Sequence, residues 1–233
     1  MKWFLQLFIG LMLCAPAFAT PPTGVQASYE VFSSGLKIGQ VEETYSKSGD
    51  HYMLTSTTTP LGLLAVFKPE KIYITSRGLI VKQGLRPQYF SHKRGNDANK
   101  EMSAEFDWTA QQLTLIHQTL RSPIALPDGT QDRLSAMYQF MFLTLDNLET
   151  IDFTMTNGNK LDNYHYSIGT RQKLDTPAGK FDSIYLDSQA KPGESRTEIW
   201  LATQHANLPC KMIITEANGD QFTQILSGLK TIP

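Results

Sequence analysis

Apolar and polar residues alternate through most of this chain in short runs bounded by turn residues. Gln26–Ser33, Lys37–Lys47 and His51–Thr59 are rich in β-branched and aromatic residues, separated by Ser34-Gly35-Leu36 and Ser48-Gly49-Asp50. Such spacing predicts antiparallel meanders. Further strands are expected over Lys71–Ser76, Leu79–Gln83, Pro87–Lys93, Glu101–Trp108 and Gln112–His117. The pattern resumes over Ile151–Thr156, Lys160–Gly169, Arg171–Leu174, Lys180–Asp187, Thr197–Ala202, Cys210–Ala217 and Phe222–Leu229. Asn157-Gly158-Asn159 and Asn218-Gly219-Asp220 read as hairpin turns, because Asn and Gly accept positive φ at low cost. One segment changes period. Leu134, Met137, Tyr138 and Met141 recur at helical spacing and predict a helix over Gln131–Leu143, with Thr130 or Asp132 as its N-cap.

Several strands are apolar on both faces. Phe181 and Tyr185 oppose Ile184 and Leu186; Trp200 opposes Ile199 and Leu201; Ile213 opposes Met212 and Ile214. A sheet with one solvated side does not need this. Either a helix covers one face, or a curved sheet encloses an apolar interior, and both arrangements are compatible. The expected fold is mainly β: one strongly curved antiparallel sheet, an open or closed barrel of lipocalin-like or half-barrel kind, with one packed α-helix near residues 131–143. No linker or shift of composition divides the chain, so residues 20–233 are expected to form a single β-rich domain.

The first residues stand apart. Lys2, the apolar run Trp3–Leu13 and Ala17-Phe18-Ala19 make a secretory signal peptide over residues 1–19, cleaved after Ala19. The run is too short to span a bilayer, and no later stretch approaches that length, so the mature chain is not expected to span a membrane. Cys14 offers a lipid-attachment alternative, but Leu13 occupies the place where a small residue belongs. Cleavage after Ala19 leaves Cys210 alone, a small buried strand residue with no disulfide partner.

Composition removes other classes. Lys and Arg number 21 against 22 Asp and Glu, a formal net charge of −1, and 41% of residues are hydrophobic. That balance excludes a disordered tail and gives no basic surplus for nucleic acid. Catalytic signatures are likewise missing. Ser34-Gly35-Leu36-Lys37 has Ser-x-x-Lys spacing but sits in a hairpin turn, where no helix brings the two side chains together. His51, His92, His117, His165 and His205 are dispersed, with no pair at metal-ligand spacing. Glu42, Glu43, Asp182, Asp187, Glu194 and Glu198 form no recognisable acid–base couple. No catalytic residue, metal site or cofactor is therefore expected, and the chain reads as a non-enzyme.

Two stretches remain. Lys82, Arg86, His92, Lys93, Arg94 and Lys100 cluster, partly offset by Glu101, Glu105 and Asp107. They read as a solvent-facing hairpin in preference to a patch for anionic headgroups. Pro60–Pro69 is almost wholly apolar and bracketed by prolines. It either folds inward as a core plug or forms a hydrophobic lip at a barrel mouth, where an acyl chain or a protein partner docks.

The order of short motifs resembles a known family. Tyr29-Glu30-Val31 with Gly35-Leu36-Lys37-Ile38-Gly39, Pro60-Leu61-Gly62-Leu63, Leu85-Arg86-Pro87, Phe106-Asp107-Trp108, Asp132-Arg133-Leu134-Ser135 with Tyr138-Gln139, and Glu198-Ile199-Trp200-Leu201 run in sequence. Together they look like the exported bacterial family catalogued as domain of unknown function 3108. The resemblance implies a mostly antiparallel β-domain of the Gram-negative envelope, located in the periplasm, and no established activity, cofactor or ligand. The expectation is a non-enzymatic periplasmic protein that takes an apolar or lipid-like ligand in a barrel concavity, with Leu61, Leu64, Phe67, Phe181 and Trp200 as candidate ligand-binding residues. The alternative is a protein–protein adaptor in envelope assembly or maintenance, using the same lip or an edge strand.

Overall fold

A computed structural model describes residues 21–95, 97–191 and 193–233; the expected signal peptide, and Cys14 with it, lies outside the described residues. The chain meanders first through β1 (Gly24–Ser33), β2 (Leu36–Ser48), β3 (His51–Pro60), β4 (Ile72–Val81) and β5 (Gly84–Arg94). It continues through β6 (Met102–Asp107), β7 (Gln112–His117) and β8 (Leu120–Ala125), then makes the two-residue strand β9 (Gln131–Asp132). A second meander follows: β10 (Thr150–Thr156), β11 (Leu161–Thr176), β12 (Gly179–Asp187), β13 (Arg196–Ala202), β14 (Leu208–Thr215) and β15 (Gln221–Ile232). Two helices interrupt the strands, α1 (Gly62–Phe67) and α2 (Ser135–Gln139).

All fifteen strands among the described residues join one sheet, ordered β8 through β1, then β15 back to β9. The first and last strands meet in its middle, where β1 pairs with β15 from Gly24–Ile232 to Ser33–Phe222. Every pairing is antiparallel except β9 with β10. Having reached one edge at β8, the chain must cross to the other edge before the second meander begins. It crosses through the concavity, and the crossing segment carries β9 and α2. The sheet does not close by hydrogen bonds. Its far end instead meets β5 and β6 through side chains: Gln131 Nε2 donates to the Leu85 carbonyl at 2.8 Å. The Asn157-Gly158-Asn159 turn abuts Phe90 and Met102, so closely that Gly158, at φ +90°, leaves little room for a Cβ.

The crossing segment divides the interior. On one side Leu134, Tyr138 and Met141 join Val25, Tyr29, Tyr45, Leu54, Phe90 and Leu113 in the larger core. On the other side Ala136 and Phe140 pack with Phe153, Met155, Tyr166, Ile184, Leu186, Ile199 and Leu201. The double-sided strands thus have their explanation: Ile184, Leu186, Ile199 and Leu201 face α2, while Phe181 and Trp200 belong to the larger core. Both of the arrangements expected from the sequence hold together.

The helical stripe is real, but the helix is shorter than expected. Gln131 and Asp132 pair with Met155 and Thr156 of β10 as a strand, and after Gln139 the chain tightens to a 3-10 turn over Phe140–Phe142. The N-cap position is Leu134 and not Thr130 or Asp132, and no side chain caps it; Asp132 lies two residues before it, its Oδ1 accepting the amides of Leu134 and Ser135 at 2.9 and 2.8 Å. Thr130 instead donates to the Pro127 carbonyl. Four further differences concern strands and loops. The pairs Lys71–Ser76 with Leu79–Gln83, and Lys160–Gly169 with Arg171–Leu174, are single strands, each with an irregularity where the expected break lay. The β8 strand went unread because Pro123 lies within it, which an edge strand tolerates. The helix α1 went unread because six apolar residues are too few to show a period.

Polar side chains fasten the crossing segment to the sheet. Ser76 of β4 donates to Asp132 Oδ2 at 2.5 Å, so the Tyr52 hydroxyl, 3.0 Å from Ser76 Oγ, must be the donor of that pair. Tyr138 and Ser56 both donate to Glu43 of β2, each at 3.1 Å. Gln139 accepts the Leu85 amide and donates to the Gln83 carbonyl, both at 2.7 Å. Its amide group occupies the space where a side chain at Gly84 would begin, and Gly84 has φ +112°. Burial raises Glu43 from 4.5 to about 7, against hydrogen bonds from Ser56 and Tyr138 and the charge of Arg133. Burial likewise raises Asp132 from 3.8 to about 6, and lowers His92 from 6.5 to about 4, helped by Arg133 and Arg94.

Two measurements check this network. Gln139→Ala strips the buried Leu85 amide and the part-buried Gln83 carbonyl of their partner and is expected to destabilise the fold by about 1–3 kcal/mol, read as a lower urea midpoint at unchanged m. For Glu43, the native state binds more protons than the unfolded chain between pH 4.5 and about 7. Its contribution to stability is therefore intact below pH 4.5 and falls as pH rises through that window. Asp132 acts in the same sense between pH 3.8 and about 6, and His92 in the opposite sense between about pH 4 and 6.5. Glu43→Gln isolates the first: stability at pH 4 is expected to stay near wild type, while at pH 7.5 it rises by roughly 2–3 kcal/mol. Equal effects at both pH values would show that Glu43 is not the titrating group.

Candidate functional site

The polar crossing segment fills the middle of the barrel and leaves one end open. Along β1 the inward positions run Tyr29, Val31, Ser33; along β3 they run Ser56, Thr58, Pro60; along β4, Ile74 then Ile72. Residues nearer the middle, with Glu43, Arg133, Met137 and Gln224, bound a small cavity of about 90 Å³. Those nearer the rim bound a chamber of about 770 Å³. Thr58 lines both, so the small cavity is the floor of the large chamber.

The chamber wall is apolar. Val31 of β1, Ile38 of β2, Ile72 of β4 and Phe222 of β15 face it, and Leu64 and Phe67 of α1 cover one side. Local chemistry sets α1 in place. Pro60 ends β3, the Leu61 amide donates to the Ile38 carbonyl at 2.8 Å, and the helix ends where Lys68 donates to Leu64, just before Pro69. The helix has no buried residue. Leu63, Val66 and Phe67 are 74%, 73% and 79% exposed, and Leu36, at the adjoining end of β2, is 66% exposed. An apolar patch of this kind, continuous with a chamber mouth, is unusual on a protein surface.

Charge is arranged in two tiers. Lys68, Arg94, Lys100 and Glu70 line the rim. At the floor, Arg133 stands near Glu43 without ion-pair contact among the described residues. Arg133 remains a cation, as guanidinium groups do in proteins. His92, on the inner face between the two tiers, is kept neutral by burial and by both arginines. Among the described residues, no three His, Cys, Asp or Glu side chains gather where they would share a metal ion. The arrangement suits retention of an apolar body with a polar end.

Of the residues singled out from the sequence, the structure brings Leu64 and Phe67 together on the chamber wall. Leu61 is half-buried at the root of α1, outside the lining. Phe181 and Trp200 do not reach the chamber. Phe181 packs edge-on against His205 at 5.4 Å, and Trp200 is held between Tyr185, at 5.0 Å, and the Lys211 ammonium, at 4.6 Å. Val31, Ile38, Ile72, Arg94 and Phe222 went unread as lining residues. They come from strands far apart in sequence, and only the β1–β15 pairing and the shared register place them around one opening.

Comparison with known proteins fixes the fold and leaves the activity open. A β-barrel-like protein of domain of unknown function DUF1849 from Brucella abortus superposes with a TM-score of 0.60 at 11% identity, covering 92% of this chain and 100% of its own. A Parabacteroides distasonis protein provisionally named a lipoprotein gives 0.39 at 11% identity, over 91% and 98% of the two chains. A Bacteroides fragilis protein with a YmcC-like fold gives 0.36 at 13% identity, over 91% and 97%. No curated protein matches the sequence. Among the described residues, no helix is long and apolar enough to cross a membrane. Residues 28–227 match the family model described as Protein of unknown function (DUF3108), and the chain belongs to that family.

Proposed function

We propose that this protein is a non-enzymatic binding domain of the Gram-negative envelope, exported to the periplasm, that holds an apolar or lipid-like ligand in the rim chamber. One observation carries the reading: a chamber of about 770 Å³ has as one wall a helix that is apolar on every side and buried on none. Burial of an acyl chain there contributes about 0.8 kcal/mol for each methylene removed from water. Ten methylenes supply roughly 8 kcal/mol before the costs of association and ordering are subtracted. The leader Lys2–Ala19 supports export.

A second reading has its own observation. Leu63 and Val66 are exposed yet outside the chamber lining, and the edge strand β8 displays Leu120 and Ile124 beside unpaired backbone. Both surfaces suit a protein partner, by apolar contact or by strand addition.

Native mass spectrometry of the mature protein purified from periplasm, followed by organic extraction, tests the first reading. A stoichiometric lipid released on denaturation is the expected result. Leu64→Asp combined with Phe67→Asp is expected to abolish uptake while leaving the unfolding midpoint within about 0.5 kcal/mol of wild type, since neither side chain belongs to the core. Unchanged uptake, or a collapsed fold, would remove the lip from the site. A bare protein mass with envelope crosslinks at position 63 or 66 would favour the adaptor.

A further inference from the structure

We infer that the chamber's ligand is an acyl lipid with a phosphate headgroup, its chain against the apolar wall and its phosphate at the rim between Arg94 and Lys68. The inference rests on the chamber being a lipid site and adds the chemistry of the headgroup. Arg94 is the last residue of β5 and pairs with Ile72, so it shares the inner face with that chamber residue and stands at the mouth. Lys68 closes α1 directly after the lip residue Phe67. Lys100, from the 3-10 turn Ala98–Lys100, lines the same opening.

The balance of charge there is unlike that of the whole molecule. The full chain has a net charge of −1, yet three cations line this opening against one carboxylate, Glu70. Glu70 is already engaged by Lys100 at 2.7 Å, and Lys100 lies 4.0 Å from Asp97. Arg94 and Lys68 make no ion pair among the described residues. At the floor Arg133 stands with Glu43, so the uncompensated positive charge lies at the rim. Cations of one sign around a low-dielectric cleft focus their field into it and select an anion.

The apolar and cationic parts are adjacent, so one molecule can satisfy both. Phe67 and Lys68 are neighbours in sequence, and Ile72 and Arg94 are neighbours across a strand pair. An acyl chain against Val31, Ile72, Leu64 and Phe67 carries its head to the rim. The two rim cations without an ion pair among the described residues, Arg94 and Lys68, come from separate segments, one a planar guanidinium and the other a flexible ammonium group. A phosphate offers three outward oxygens to such a set, and Arg recognises it with paired hydrogen bonds. A carboxylate offers two oxygens in one plane and fits it less well.

Isothermal titration of the mature protein with monomeric 1-palmitoyl lysophosphatidic acid, 1-palmitoylglycerol and palmitate tests the inference. The first two differ only by the phosphate. The expected result is that the phosphate ester binds about tenfold or more tightly than the neutral ester at low salt, and more tightly than palmitate. Added salt narrows the difference, because the rim is open to solvent. Arg94→Ala with Lys68→Ala is expected to bring the phosphate ester down to the level of the neutral ester, whose own affinity stays unchanged. Both residues are exposed, and an unaltered unfolding midpoint checks the fold. Equal binding of the two esters, a preference that survives the double substitution, or palmitate binding as tightly as the phosphate ester overturns the headgroup assignment and leaves the chamber as a lipid site. No binding of any of the three overturns both.

Discussion

The structure depends on one constraint of connectivity: a chain that has built eight strands outward from the middle of a sheet must reach the opposite edge to build the rest. Here it passes through the concavity, and the polar side chains of the passing segment find partners inside, Gln131 Oε1 being an exception. Asp132 shows how this is met. Its carboxylate takes Ser76 from the wall and the amides of Leu134 and Ser135 from its own turn, and each of those partners is buried. An unpaired carboxylate in that position would cost several kcal/mol, and so would each orphaned partner. The same logic holds for Gln139 at the β4–β5 turn and for Tyr138 with Glu43. Removing any one partner leaves the other stranded, so the segment and the sheet fix one another.

From this constraint follows the unequal filling of the barrel. Below the crossing segment the inward residues are large, with Tyr45 stacked on Tyr138 at 5.9 Å and Tyr52 and Leu54 beneath them. Above it the inward residues are Val31, Gly39, Thr58 and Ile72, and no helix or loop of the described chain fills the space between them. A wall of side chains around a gap is a poor way to stabilise a fold, because dispersion contacts are lost wherever the facing atom is missing. The lower half carries the stability. The upper half is released from that duty and is free to hold something else.

Much of this was legible in the sequence, and the limit is physical. Alternation and turn chemistry gave the strands, because both are properties of a few adjacent residues. The Leu134, Met137, Tyr138 and Met141 stripe gave the helix face, and the two-faced strands around Ile184 and Ile199 gave a sheet covered on both sides. The length of α2 was not legible, since Asp132 had to choose between extending a helix and pairing with Thr156, and tertiary contacts decided it. Leu64 and Phe67, which line the chamber, stood out in the sequence because their segment is apolar without being periodic. Phe181 and Trp200 were equally apolar, yet they lie in the packed part of the larger core, and a face assignment on one strand does not say how far along the barrel a residue sits. Arg94 was hidden for a related reason: within the basic run it resembles its neighbours, and only the register with Ile72 turns it toward the opening.

The outer side of α1 bears most directly on function. Leu63 and Val66 point away from the chamber and into water, beside Leu36. Replacing each with a polar residue would remove an apolar surface that water disfavours by roughly 25 cal/mol per Å², and the fold would lose nothing that its core supplies. A helix needed only to cap the chamber would be apolar on its inner side and polar on its outer side. On the proposed lipid-binding reading, apolar character on both sides is what a passage requires. A ligand leaving a membrane or a partner protein meets the outer side first and the inner side next, and at no point on that path must its chain be fully exposed to water. The cations at Lys68 and Arg94 lie beside the same path, where a headgroup remains hydrated while the chain moves. The lip is thus better understood as part of the route into the chamber than as a lid upon it.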